Sequence, residues 1–323
     1  MTIKTTAIPL VILLLIVPIS GCVGQDDQAS EQQEPVTGDT PTTIDDIENP
    51  VPTVLDVPNE AGCDNLNPHH CMLPFPSDAF LVEDASTDTG FRVNVPSGII
   101  PASGSTDPVE IPRINQLDGM STATQIMTTF DTVPDLASVA YQYDIERSLE
   151  LDHPTIIWNV DDNHAVAHWA ELDARAQPGE QTILHLRTAA ALEHDTRYIV
   201  VVRGLSDTMG NEIQPSQALR ALLDGEITDA EDVESRRSAY NGYIAVAEDH
   251  MGVNKNEIQA LWSFHTASLE SVLGPILSMR DDALSRIGDG LGCTVNPDGV
   301  EDNYNGDGMT YRRVRGTFTA PQY

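Results

Sequence analysis

Lysine is almost missing from these 323 residues: Lys4 and Lys255 are the only two, and arginine supplies the rest of the 17 basic residues set against 50 Asp and Glu. A formal net charge of −33 leaves no basic surface to neutralise phosphates, so nucleic-acid partners are not expected. Strongly hydrated carboxylates with so little lysine are the composition of a surface kept soluble at short Debye length, as in a saline habitat. Cysteine is also scarce, with four in all. The nucleophile elbow Gly-x-Ser-x-Gly occurs nowhere. Neither Gly204-Leu205-Ser206-Asp207 nor His265-Thr266-Ala267-Ser268 supplies the flanking glycines of such a turn, and Ser206-Asp207 with Gly210-Asn211 reads as a turn after a strand. Gly288-Asp289-Gly290-Leu291-Gly292 has no strand–helix–strand context and carries an acidic residue against pyrophosphate, which removes dinucleotide binding.

The N-terminus is the most specific segment present. Lys4 followed by the apolar run Ala7 to Ile19 is a secretory signal, too short with its flanks to span a bilayer. It ends in Ile19-Ser20-Gly21-Cys22, which resembles a bacterial lipobox, so Cys22 is the expected lipidation site and residues 1–22 the signal peptide. Acyl chains contribute about 0.8 kcal/mol per buried CH₂, enough for several chains on one cysteine to hold a soluble body on a membrane. Export to the cell envelope follows, and Val23 after the cysteine suits the outer membrane or cell surface. The Gln, Asp, Glu, Thr and Pro that dominate residues 23–60 bury too little surface to offset ordering entropy, which predicts an acidic tether. In an oxidising compartment Cys63 and Cys71, eight apart around Asn67-Pro68, are the expected disulfide, leaving Cys293 over.

From residue 61 to 120 short apolar runs broken by prolines, such as Met72-Leu73-Pro74-Phe75-Pro76, predict an extended strap. Residues 121–214 carry strand signals at Gln125–Phe130, Thr155–Val160, Ala165–Ala170, Thr182–Leu186 and Arg197–Arg203, with a hairpin turn at Asp161-Asp162-Asn163. Tyr198, entering a strand just after Glu193-His194-Asp195, is placed to bond back to the turn as in a tyrosine corner. The fold class expected is therefore mainly β with helical additions: an Ig-like antiparallel β-sandwich after the strap, followed over 215–323 by two helices and a short strand. The helices are predicted over Asp229–His250 and Ser268–Ile287, with a strand at Leu261–Thr266 between them, an Asn/Asp/Gly loop after Cys293 and a last strand at Tyr311–Thr319.

Two stretches have spacings that bear on ion binding. His164 and His168 on a strand lie roughly 13 Å apart, too far for one metal. Asn303, Asn305 and Asp307 before Gly308 match the first half of a calcium loop, but the twelfth position is Val314 instead of glutamate. Calcium is thus the one cofactor the sequence suggests, and no catalytic residue is expected in the chain.

Cys71-Met72-Leu73-Pro74-Phe75-Pro76-Ser77-Asp78, Thr89-Gly90-Phe91-Arg92-Val93, His168-Trp169-Ala170-Glu171-Leu172-Asp173, Thr196 to Leu205 and Trp262 to Ser268 together resemble the N-terminal half of large exported bacterial lipoproteins. Those proteins carry an Ig-like region before a C-terminal α/β-hydrolase domain and are grouped with surface lipases and esterases. The resemblance spans Cys63 to Tyr323 and implies a scaffold role beside a hydrolase domain. The alternative expectation is a non-catalytic surface-binding or adhesion lipoprotein, whose partner is a surface ligand.

Overall fold

The computed structural model describes residues 54–57, 64–68, 70–97, 111–176, 181–287 and 292–323, all within the unit Pro52–Tyr323. The signal segment with Cys22, most of the tether, Cys63 and the Gly288–Leu291 stretch lie outside the described residues. In chain order the elements are β1 (Leu81–Glu83), β2 (Phe91–Val93), α1 (Ile111–Ile114), β3 (Ile126–Thr129), β4 (Thr155–Asn159), β5 (His164–Ala165), β6 (His168–Leu172), β7 (Ile183–Thr188), β8 (Arg197–Arg203), α2 (Gln217–Asp224), α3 (Glu231–Met251), β9 (Ile258–His265), α4 (Leu269–Ile287), β10 (Thr294–Tyr304) and β11 (Thr310–Thr317). Among the described residues the protein is mostly β, every pair of these strands is antiparallel, and four α-helices are added. No described helix is long and apolar enough to cross a membrane.

The run Tyr198-Ile199-Val200-Val201-Val202 is buried at every residue, because β8 lies inside the four-stranded sheet β5-β4-β8-β9 and both faces of that sheet are covered. Alternation sends Ile199 and Val201 to one side, where they meet Leu219 and Leu222 of α2 and Val233, Tyr240, Ile244 and Ala247 of α3. Tyr198, Val200 and Val202 go to the other, packing with Trp262 and Phe264 against Ile126, Leu184 and Leu186 of the three-stranded sheet β3-β7-β6. The Tyr198 ring stacks on Phe264 at 5.4 Å, and its hydroxyl accepts the Glu193 N–H at 2.9 Å, the bond expected for a tyrosine just past a turn.

The strap is fastened by backbone pairing at both sheets. Phe75 exchanges two hydrogen bonds with Met127 on the free side of β3, and Met120 bridges to His265 and Ala267 at the end of β9. At Gly119 the approach is closer than any side chain permits, since a Cβ there would sit 2.6 Å from the Ala267 nitrogen. Leu55 and Val57, assigned from the sequence to the tether, are docked: Leu55 bonds Ile227 and Asp229 backbone, and Val57 is buried against the helices.

Two expectations are corrected. The hairpin after Thr155–Val160 is only two residues deep, Trp158 pairing with Ala165 and Asn159 with His164. From His168 the chain crosses to the other sheet as β6, where Ala170 and Leu172 face β7. Second, the loop expected after Cys293 is the eleven-residue strand β10, held to β11 by cross-strand ion pairs Glu301–Arg315 and Asp302–Arg312, both at 2.6 Å. Strand preference depends on the partner more than on the Asn, Asp and Gly of the segment itself. Helix α2 is a third helix beyond the two expected after residue 215; Ser216 caps it by accepting the Leu219 N–H and Gly225 ends it with φ of 74°. The last turn of α3 ends as expected at Gly252, φ 64°.

Where β4 meets β6, two imidazoles are buried with fixed roles. His153 Nε2 accepts the Ala140 N–H at 2.8 Å while its Nδ1–H donates to the Thr155 carbonyl; His168 Nε2 accepts the Thr155 hydroxyl at 2.9 Å while its Nδ1–H donates to Val166. Both rings are therefore neutral, and burial pushes both pKa values down, that of His168 to about 4. The unfolded chain takes up these protons near pH 6.5 and the folded one well below it. Their stabilisation is complete above pH 6.5 and is lost as pH falls, at about 1.4 kcal/mol per unit for each group between its two pKa values. Denaturant unfolding measured from pH 7 to pH 4.5 should show this slope, and His168→Asn should be less stable at pH 7 with a flatter slope. Tyr198→Phe should cost about 1–2 kcal/mol in the same measurement, since the Glu193 N–H is left unpaired.

Candidate ligand cleft

The same register that buries Ile199 and Val201 brings Arg197 onto their face of the sheet, opposite His265, with Ser263 opposite Ile199. Here α3 turns its Ser235, Arg236, Ala239, Tyr240 and Tyr243 stripe to the sheet, and the strap crosses at Ser77–Leu81 and Phe91. Between these elements lies a cleft of about 220 Å³, with a second lobe of about 380 Å³ lined by Asp64, Asp78, Phe80, Pro96, Asp232 and Arg236.

Asp78 is its centre. Ser77 accepts the Ala79 N–H and starts a 3-10 turn over Asp78–Phe80, which fixes the carboxylate in place. Its Oδ2 accepts Arg197 Nη1 at 2.8 Å and the Ser263 hydroxyl at 2.5 Å, and its Oδ1 is buried with no partner. Arg197 Nη1 also donates to the Tyr243 hydroxyl at 3.2 Å, and its guanidinium lies over the Phe91 ring at 5.6 Å. One wall of the second lobe is a charge network: Arg236 donates to both oxygens of Asp64, at 2.8 and 3.0 Å, and to Asp232. The Asp64 side chain is only 1% exposed, and this buried partner holds the Arg236 pKa above its ordinary value despite the opposing cost of burial.

Ser263 is not set up as a nucleophile. Its proton goes to Asp78, while His265 two residues on spends Nε2 on Asp195 at 2.9 Å and packs its ring against Phe91. A relay needs the imidazole on the hydroxyl, and here the two groups serve different carboxylates. The arrangement can hold a ligand by hydrogen bonds and by the apolar edges of Leu81 and Phe91.

The residues singled out by the sequence fall elsewhere. Asn303, Asn305 and Asp307 sit at the tip of the β10–β11 hairpin; Asn303 and Asn305 have positive φ, and Asp307 Oδ1 accepts the Met309 N–H at 2.9 Å. Among the described residues no group of three or more His, Cys, Asp or Glu converges to hold a metal. His164 and His168 lie in different sheets, the first exposed and the second buried in the pair described above. Ser206-Asp207 is a turn, Asp207 accepting N–H groups from Met209 and Asn211. Cys71 is not a free thiol; Cys63 lies outside the described residues, so their pairing remains an expectation. Cys293 is free and exposed. The cleft residues carried one faint sequence signal, a polar Ser263 inside the apolar Leu261-Trp262-Ser263-Phe264 run and a charged Arg197 at the mouth of a buried strand. No protein-family model and no curated protein matches the chain.

Asp64→Ala should cost about 2–3 kcal/mol by removing the buried bidentate partner of Arg236, which keeps only its contacts to Asp232, and should speed limited proteolysis near residues 64–68 as the strap loosens.

Proposed function

We propose that this is an exported protein lipidated on Cys22, whose folded body is a scaffold beside an α/β-hydrolase-type ester hydrolase domain. The observation that carries the reading is an imbalance between helices. The apolar residues of α3 are buried on the sheet, whereas α4 leaves a stripe of Leu269, Val272, Leu273, Ile276, Leu277 and Leu284 open, Ile276 and Leu284 being 58% and 61% exposed. The hairpin β10–β11 likewise leaves Val300, Tyr311, Val314 and Phe318 uncovered, and a lone two-stranded hairpin is marginal in water. An exposed apolar stripe such as that of α4 marks an interface. Its occupant in this reading is the hydrolase domain that the resemblance implies. Two sheets sharing one hydrophobic cluster, with the Tyr198 to Glu193 bond at the turn, support an Ig-like β-sandwich for the body. The tether then holds that body away from the outer membrane or cell surface.

A second reading, a surface-binding lipoprotein, is favoured by the cleft around Asp78 and by the absence of a serine–imidazole contact at Ser263. Metabolic labelling with a tagged fatty acid should mark the wild-type chain and leave Cys22→Ser unmarked and released from membranes; equal labelling of both removes the anchor. The coding DNA past the Tyr323 codon should supply Gly-x-Ser-x-Gly with later Asp and His. A stop codon with no hydrolase sequence in that frame or the adjacent one removes the scaffold reading and leaves the second.

A further inference from the structure

Strand β6 lies at an edge of the sheet β3-β7-β6, and the connection from β3 to β4 covers that edge. The Ala170 N–H donates to the Ala140 carbonyl at 3.1 Å, and the His168 N–H donates to the Ser148 hydroxyl at 3.0 Å. Without that cover the edge would present unpaired backbone groups. The covering segment carries little apolar surface into the body. Between residues 141 and 152 only Ser148 is buried, while Tyr141, Tyr143, Leu149 and Leu151 are exposed. The far end of the segment is pinned separately, because Arg203 donates to the carbonyls of Leu151 and His153. The near end is fixed at Ala140, whose N–H is accepted by His153 Nε2 at 2.8 Å.

The two buried imidazoles of this region respond differently to a proton. A proton on His168 Nε2 points at the Thr155 hydroxyl, which can turn its own hydrogen aside and accept. A proton on His153 Nε2 points at the Ala140 N–H, a backbone donor with no lone pair to offer. The Nδ1–H of His153 is already given to the Thr155 carbonyl at 2.7 Å, so the ring cannot turn to another tautomer. An imidazolium at this position fits only when Ala140 moves away. Burial is the largest force against charging His153, and Arg147 adds to it, while Glu150 and Asp144 on the segment offset it. His168 of β6 faces the ring edge-on at 5.7 Å, and Arg203 of β8 sits at its carbonyl.

We propose that His153 is an acid-sensitive latch: in mild acid its Nε2 takes a proton from solvent, the Ala140 N–H loses its acceptor, and residues 140–150 lift from the edge of β6. The open form binds a proton that the closed form excludes, so opening is favoured as pH falls below the ordinary histidine value of about 6.5. Residues 151–153 stay in place on Arg203, and the N–H groups of His168 and Ala170 pass to water. This opening is local, since the layers on either side of β8 keep their packing. It rests on neither functional reading above.

Amide hydrogen exchange on the full chain at pH 7.5, 6.5 and 5.5, corrected for the intrinsic chemistry of exchange, tests the latch. The amides of Ala140, His168 and Ala170 should exchange at least about tenfold faster than those of Val200 and Val201 at each pH, because they open without unfolding of the sheets. Their protection should fall about tenfold between pH 7.5 and pH 5.5. His153→Gln, whose side-chain oxygen accepts the Ala140 N–H without titrating, should abolish that fall. His168→Gln should keep it, because His168 is not the latch. Exchange at Ala140 and Ala170 as slow as at Val200, protection unchanged between pH 7.5 and pH 5.5, or a fall that persists in His153→Gln or vanishes in His168→Gln overturns the proposal. The first two outcomes are read on the wild-type chain and decide the matter should the variants not fold.

Discussion

Burial of the four-stranded sheet on both faces is the constraint on which the rest of the structure depends. A strand as apolar as Tyr198–Val202 has no side to give to water, so two separate layers must be recruited, and the chain supplies them from opposite directions. The three-stranded sheet β3-β7-β6 covers the face of Tyr198, Val200 and Val202, and α2 with α3 covers the face of Ile199 and Val201. Each fully buried aliphatic side chain is worth about 1.5–3 kcal/mol, so this spine outweighs any single polar contact elsewhere.

The cleft is a by-product of that arrangement. Beside its buried Val233, Tyr240, Ile244 and Ala247, helix α3 leaves a gap along Ser235, Arg236, Ala239 and Tyr243, where the first residue of β8, Arg197, and Ser263 of β9 emerge. The strap closes the gap, with Trp262 Nε1–H donating to the Pro76 carbonyl at 2.9 Å and Phe80 inserted in the core. Polar groups are tolerated there because they satisfy one another, Asp78 with Arg197 and Ser263, Asp64 with Arg236. Two side-chain oxygens among the described residues, Asp78 Oδ1 and Asn67 Oδ1, are buried without a partner. Just past His265, the partner of Arg197 across the sheet, the chain is organised differently. Ser268 N–H donates to Asp118 at 3.0 Å and holds the start of α4 to the strap, yet the apolar stripe beyond it stays uncovered.

Local chemistry and the sequence alone determined much of this. Period-two alternation and β-branched content marked β3, β4, β7, β8 and β9, the three- and four-residue spacing of Val233, Tyr240, Ile244, Ala247 and Met251 marked α3, and Ser268 and Gly252 marked a start and a stop. Those features are read within one element, where neighbours along the chain set the geometry. The tertiary structure alone decided that β5 and β6 part company between two sheets, that the Asn- and Asp-rich stretch after Cys293 pairs as β10, and that Asp78, Arg197 and Ser263 meet across 185 residues of separation. Each depends on a partner distant in sequence, whose position follows from which face of β8 had to be covered and by what. Spacing along the chain carries no record of that, because it is settled by burial in three dimensions.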